Sequence, residues 1–461
     1  MMGQILLKWT VTAVESALDD RFRGTTAVGA RVTRVFEMSV EMSVGVSAEA
    51  GVRVIEVVGV GASGPAALDA AALRLVEAAE VLVGGTRHLE LVAGVAPEAE
   101  RVRWPSPLLP GLRELLGRVE GRRVVVLASG DPLVSGIGST LVSLLGPDAV
   151  RIHPGVSSVA LARARMRWAA EESDAVTLVG RDVDRLRREL GPGRRLVVLT
   201  SGPDAPERVC AVLTDEGYAS SRVTVLGSLG ADDETRTDGV AGTWAGGPAP
   251  TLHLICIECV PDAGSRPRSL APGLPDDAFD HVGQLTKRVV RAAALAHLAP
   301  QPGDVLWDLG AGAGSVGIEF ARQHPRNHVV AVERDPVRAE RVRANARRLG
   351  VPGLEVVEAR SADVVDDLPR PDAVFVGGGA SADLLDRGWA ALAPGGRIVV
   401  TGVTVETELL LHDARARLGG ALTRIAVEDL EPLGSLTGWK PARAVVQWSA
   451  TKPHPDTEEP A

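Results

Sequence analysis

The sequence predicts two α/β domains in tandem, and three observations carry that expectation. β-Branched apolar runs alternate with Ala- and Leu-rich helical stretches along most of the chain. At 461 residues the chain is too long for one ordinary core. A stretch rich in Pro, Gly, Ser and Arg, PDAGSRPRSLAPGLPDD (261–277), has no apolar periodicity and separates two different glycine-loop signatures.

Residues 1–50, with the near-duplicated EMSVEMSVG, have weak periodicity and read as a poorly ordered extension without function. The first domain, 53–260, opens with the strand RVIEVVGVG, the helical AALDAAALRLVEAAE and a second strand in VLVGG. It continues through RRVVVLASGDP, RLVVLTSGP and SRVTVLGSLG, each a strand closed by a glycine-bearing loop, to PTLHLICIEC. After the linker at 261–277, the second domain spans 278–450. Its strands DVLWDLG, HVVAVE, LEVVEAR, DAVFVGGG and RIVVTG alternate with helices, the pattern of a doubly wound sheet. Residues 451–461 read as a polar tail.

Composition narrows the function. A formal charge of -9 leaves no electrostatic footprint for DNA or RNA, and no apolar run reaches membrane-spanning length. The first twenty residues lack the features of a secretory leader, and three cysteines suit a reducing compartment, so the expected location is the cytoplasm. Cys256 and Cys259 spell C-x-x-C inside a strand, where i and i+3 face opposite sides, so they read as packed thiols; no metal site is expected.

The motif VLWDLGAGAGSVGIEFA (305–321) contains G-x-G-x-x-G at Gly312, Gly314 and Gly317, a dinucleotide pattern, but also D-x-G-x-G-x-G beginning at Asp308. A carboxylate beside the loop repels a pyrophosphate. It complements the ammonium of a methionyl group, while the glycines let the backbone close over an adenosine. Glu333, about 20 residues on at a strand end, suits ribose hydroxyls and does not by itself discriminate. Asp308 together with LAPGGRIVV (392–400) favours S-adenosylmethionine; an NAD(P)-dependent oxidoreductase remains the alternative.

From about Gly273 to Val405, GLPDDAFDHVGQLTKRVVRAAALAHLAP, LWDLGAGAGSVGIEFA, PDAVFVGGG and GGRIVVTGVTVETE resemble the decarboxylating precorrin C15-methyltransferase domain, with QLTKRVVRA the most specific part. The resemblance implies that Thr286, Gly310, Ala311, Gly312, Ala313, Gly314, Glu333 and Ser361 contact S-adenosylmethionine. Lys287 and Arg291 stand i,i+4 with Arg288 adjacent, and a helix would make of them a basic surface for the carboxylates of a uroporphyrin-derived ring.

Residues 53–260 resemble the tetrapyrrole methylases through VIEVVGVGASGPAAL, VLVGGTRHLELV, LASGDPLVSGIG, HPGVSSVALARARM, VLTSGPDAPERVCAVL and VTVLGSLGADDETRTDG. The resemblance implies a two-subdomain α/β fold followed by the Rossmann-like methyltransferase domain. It also implies a cofactor cleft lined by Ser129, Gly130, Asp131, Val134, Ser157 and Ser158. For Asp131 a capped turn before Pro132 is the structural reading.

The two resemblances in this order match the bifunctional C5,15-methyltransferase family, which implies methylation of C5 and C15 of a precorrin and loss of its C12 acetate carboxyl in cobalamin biosynthesis. Meso carbons of a reduced tetrapyrrole are enamine-like, so alignment matters more than a strong base. Glu406 and Thr401, beside the last core strand, are the candidate catalytic residues. A homo-oligomer is expected, and a non-catalytic corrinoid-binding protein is the second alternative.

Overall fold

The structure, a computed structural model, describes residues 54–454; the extension expected at 1–50 and most of the expected tail lie outside them. The described chain forms two compact units, one built on 54–186 and 190–267 and the other on 268–454.

The first unit begins with a parallel sheet of β1 (Ile55–Val60), β2 (Val81–Gly84), β3 (Glu100–Arg103), β4 (Val124–Ser129) and β5 (Val150–His153), ordered β3-β2-β4-β1-β5. Its strands are apolar on both faces because helices cover both. Val58, Leu82 and Leu127 pack with α1 (Ala70–Glu77) and α2 (Thr86–Leu91). Val57, Val83 and Val126 point the other way, onto α3 (Leu108–Arg118) and α4 (Ile137–Leu145).

A second sheet follows, made of β6 (Asp174–Thr177), β7 (Arg195–Leu199), β8 (Arg222–Gly227), β9 (Thr235–Val240) and β10 (His253–Glu258), ordered β6-β7-β10-β8-β9. Here β10 runs antiparallel to both neighbours, β7 and β8. Residues of α5 (Ser158–Met166) cover one face with Cys256, and α6 (Ala205–Asp215) covers the other with Cys259. The two thiols thus belong to opposite layers, and burial pushes them up to about 12 and about 11. The two sheets are the two subdomains expected of the first domain.

The second unit is a seven-stranded sheet. Its strands are β11 (Val305–Leu309), β12 (His328–Val332), β13 (Glu355–Val357), β14 (Ala373–Val376), β15 (Arg397–Gly402), β16 (Ala421–Ile425) and β19 (Val445–Thr451). The order is β13-β12-β11-β14-β15-β19-β16; the first five are parallel, and β19 runs antiparallel to β15 and β16. On one face pack α7 (Arg288–Leu298), α8 (Ser315–Gln323) and α9 (Pro336–Arg348); on the other, α10 (Ala382–Ala391) and α11 (Val405–Leu418). The sheet is Rossmann-like: the chain leaves β11 toward β12 and β13, then returns to β14 on its other side, opening a crevice at the carboxyl ends of β11 and β14. Beyond β16 a separate hairpin, β17 (Glu428–Leu433) and β18 (Leu436–Pro441), leaves Leu430, Leu433, Leu436 and Trp439 exposed at 58–74%.

Two stretches are more ordered than their composition implies. In 261–277, expected as a linker, the Asp262 carboxylate accepts the Ala219 and Ser220 N–H groups, and Leu274 is buried in the second unit's core. In the expected tail, Lys452 Nζ donates to the carbonyls of Trp389, Ala390 and Leu392, satisfying the otherwise open end of α10.

Candidate functional site

In the second unit the loop after β11 is locked to its neighbours by backbone. The Gly310 and Ala311 N–H groups donate to the Val332 carbonyl at 2.9 and 3.1 Å, and Gly314 N–H closes a turn onto Ala311 at 2.8 Å. Gly310, Gly312 and Gly314 all have positive φ, and a Cβ on Gly310 would stand 2.6 Å from the Gly378 carbonyl oxygen of the loop after β14. Ala313 is buried, its carbonyl accepting the Asn345 amide at 3.0 Å. The two loops therefore meet at the crevice, with backbone close to anything bound there.

Two carboxylates sit beneath this loop. Asp308, 1% exposed, accepts the Gly317 N–H through Oδ2 at 2.9 Å; its buried Oδ1 has no hydrogen-bond partner among the described residues. Burial first, and then the neighbouring Glu333 charge, push the Asp308 carboxyl up to about 7 against the pull of the Gly317 N–H. A Cβ on Gly317 would meet Asp308 Oδ2 at 2.7 Å, so the third glycine of the motif is there to admit the carboxylate. Glu333, also buried, accepts Gly312 N–H and Asp335 N–H, each at 3.0 Å, and each oxygen keeps a further lone pair. A buried, half-satisfied Asp beside glycine-only backbone fits a cationic adenosyl cofactor better than a pyrophosphate.

The expected basic face does not form as a unit. Lys287 caps α7, exposed and 3.5 Å from Asp276, and Arg288 is exposed in the first turn. Arg291 instead points inward and is wholly buried, 2.5 Å from Glu319, and donates to the Thr286 and Leu274 carbonyls. The i,i+4 spacing with Lys287 holds along the helix, but the side chain turns onto α8, where Glu319 also accepts Gly273 and Leu274 N–H at 2.5 and 3.0 Å. Arg291 is thus a packing cation that fixes the segment bearing Thr286. Ser361 begins a single helical turn after β13. Thr401 is half-buried on β15 opposite Gln447, while Glu406 is exposed at the start of α11.

In the first unit three loops interlock. A Cβ on Gly59 would fall 1.7 Å from the Gly130 carbonyl oxygen and 2.6 Å from the Gly155 nitrogen, so the end of β1 and the loops after β4 and β5 touch through glycine. Gly130, at φ 52°, turns the chain after Ser129. Asp131 Oδ1 accepts Leu133 N–H at 2.9 Å, and Val134 N–H closes the same turn onto the Asp131 carbonyl. That is a capped turn at Asp131, with Pro132 inside it. Ser157 caps α5 by accepting Ala160 N–H at 3.1 Å, leaving Ser158 exposed in its first turn.

Motif reasoning missed two neighbours of this cleft. Arg87 Nη2 and His88 Nε2 lie 3.1 and 2.9 Å from Ser129 Oγ and 2.9 Å from each other. The signal was the polar TRH run after the apolar strand VLVGG, whose carboxyl end lies beside that of β4. Burial, followed by the Arg87 charge, holds the His88 imidazole down to about 4, so it is neutral at ordinary pH.

The chain matches two family models, "Tetrapyrrole (Corrin/Porphyrin) Methylases" over residues 54–245 and "Precorrin methyltransferase domain" over 277–452. A Sinorhizobium precorrin-6Y C(5,15)-methyltransferase [decarboxylating] is 43% identical over 399 residues, 86% of this chain and 96% of the relative. The Mycobacterium tuberculosis (strain CDC 1551 / Oshkosh) protein of the same name is 39% identical over 402 residues, 86% of this chain and all of its own. A Salmonella typhimurium cobalt-precorrin-6B C(15)-methyltransferase (decarboxylating) is 35% identical over 169 residues, 35% of this chain and 85% of its own.

Proposed function

The chain belongs to the decarboxylating precorrin-6Y C(5,15)-methyltransferase family, and from that membership we propose how its two units share the chemistry. The protein is an S-adenosylmethionine-dependent enzyme that methylates a precorrin and decarboxylates it in cobalamin biosynthesis; the oxidoreductase and non-catalytic readings are set aside. The first unit methylates C5, and the second methylates C15 and releases the C12 acetate carboxyl as carbon dioxide. The observation that carries this division is the presence of two unrelated glycine-lined clefts, one built on Gly59, Gly130 and Gly155, the other on Gly310, Gly312 and Gly314.

When bound, the cofactor supplies a methyl group on a sulfonium centre. In the second unit Asp308 would provide the negative charge facing the methionyl ammonium, Glu333 would accept from ribose hydroxyls, and the loop from Gly310 to Gly314 with Thr286 and Ser361 would hold the adenosyl moiety. In the first unit Ser129, Gly130, Asp131, Val134, Ser157 and Ser158 play the corresponding part. Lys287 and Arg288 face the acidic rim of the macrocycle. Decarboxylation uses a conjugated imine of the substrate as electron sink, so the second unit has only to hold the carboxylate beside it and return a proton. Thr401 and Glu406 are the side chains assigned to that region.

Supporting a homo-oligomer is the β17–β18 hairpin, whose exposed Leu and Trp side chains suit a self-association surface. No helix among the described residues is long and apolar enough to cross a membrane. We place the enzyme in the cytoplasm, free of nucleic acid, a reading supported by its acidity and its three free, buried thiols.

The test is product mass from the intact enzyme given precorrin-6B, metal-free or cobalt-bearing, with labelled cofactor. Asp131→Ala should release carbon dioxide normally and accumulate product one methyl lighter. Loss of decarboxylation in a folded Asp131→Ala enzyme would refute the division of labour.

A further inference from the structure

The first unit holds a cation that no carboxylate among the described residues neutralises. Arg87 is half-buried just past the carboxyl end of β2, and burial lowers its guanidinium pKa. Its recorded partners are the neutral His88 ring and the Ser129 hydroxyl, both reached through Nη2. Among the described residues no carboxylate lies within ion-pair distance of it, and Nε and Nη1 donate to nothing. A desolvated guanidinium without an acid is costly unless a ligand brings one, and its open edge suits a carboxylate taken bidentately.

The placement narrows the ligand. Ser129 immediately precedes Gly130, where the loops of the cleft meet. Leu133 and Val156, on two of those loops, are exposed at 53% and 63%. A cation beside exposed apolar side chains matches a flat apolar ring with acids on its rim. We propose that Arg87, seated by His88 and Ser129, binds a side-chain carboxylate of the tetrapyrrole and thereby sets the rotational register that brings C5 over the first cleft. This rests on assigning C5 methylation to the first unit. His88 is a positioning residue: with Ser129 donating to Nε2 and Arg87 donating to Ser129, the three form a directed chain. A neutral ring adds no charge to compete with the ligand.

The experiment follows C5 and C15 methylation separately in the intact enzyme as precorrin-6B concentration varies, for Arg87→Met and Arg87→Lys. Removing a charge-assisted pair should raise KM for C5 methylation about 10- to 100-fold in Arg87→Met, with kcat changed only a few-fold. Arg87→Lys should recover part of the loss, and C15 methylation and carbon dioxide release should stay at wild-type levels in both. His88→Gln, which keeps an acceptor, should behave near wild type, whereas His88→Leu should raise the same KM. Calorimetric affinity for S-adenosylhomocysteine at the first unit should not move. An unchanged KM in folded Arg87→Met overturns the proposal, and so does a parallel fall in S-adenosylhomocysteine affinity, which would assign the guanidinium to the cofactor carboxylate. Wild-type enzyme that makes C15 product but never C5 product would instead bring down the assignment of chemistry to units, and this proposal with it.

Discussion

Asp308→Asn should stabilise the second unit and disable it. Burial pushes the Asp308 carboxyl up to about 7; it takes a single 2.9 Å hydrogen bond from Gly317, and one buried oxygen has no partner among the described residues. Its raised folded pKa means that the folded state holds a proton the unfolded chain has lost. The resulting stabilisation is full below the ordinary carboxyl range and is lost as pH rises through about 7. At pH 8 the ionised form costs about 2–4 kcal/mol, from 1.4 kcal/mol per tenfold change in proton affinity with a discount for relaxation of the site. An Asn at 308 still accepts from Gly317 through its carbonyl and carries no charge. Urea unfolding followed between pH 5 and pH 8 through Trp307, buried in the same core, should show the wild type losing stability over that range and Asp308→Asn staying flat. The variant should bind S-adenosylmethionine at least about 10-fold more weakly at the second site and release little carbon dioxide. Equal pH slopes in the two proteins, or intact cofactor affinity in the variant, would refute the reasoning.

Glu333→Ala should weaken cofactor binding at the second site alone by about 1.5–3 kcal/mol, as read by calorimetry; unchanged affinity there would remove Glu333 from the cofactor. Glu319→Gln leaves the buried Arg291 with Asp276, 3.2 Å away and partly exposed, as its remaining acid, so denaturant melts should show the second unit destabilised by up to about 3 kcal/mol. Because His88 is held down to about 4, the neutral ring favours folding above its ordinary pKa and that advantage is lost as pH falls from about 6.5 to about 4. His88→Gln should flatten this acid limb by about 1–3 kcal/mol in melts of the first unit. Replacing Leu430 and Trp439 by Ser should lower the mass seen by light scattering without changing circular dichroism.

Most of the strands that the sequence announced are buried on both faces. Val58 and Val57, or Val330 and Ala331, give continuous apolar runs because helices lie on either side. Two of the missed strands lack that signal: β9 reads TRTDGV and is almost wholly exposed, and β17 contains a proline and three acids. The glycine loops were legible because a positive φ or a close backbone approach leaves few other choices, as at Gly310. Arg291 was misread because helical spacing tells which residues share a face, not which face is buried, and its partner lies 28 residues away. Ser129 was in view, but Arg87 and His88 join it only through the pairing of β2 with β4.

Arg291 and Glu319 also bear on where such a chain could be divided into two genes. Between them they hold Gly273, Leu274 and Thr286 to the helix that follows the loop after β11. A gene split placed after Thr286 would leave a guanidinium and a carboxylate facing a hole, although it would spare every glycine of that loop. The break has to fall before Gly273. A stand-alone descendant of the second unit must therefore begin with residues that look, by composition, like dispensable connecting chain.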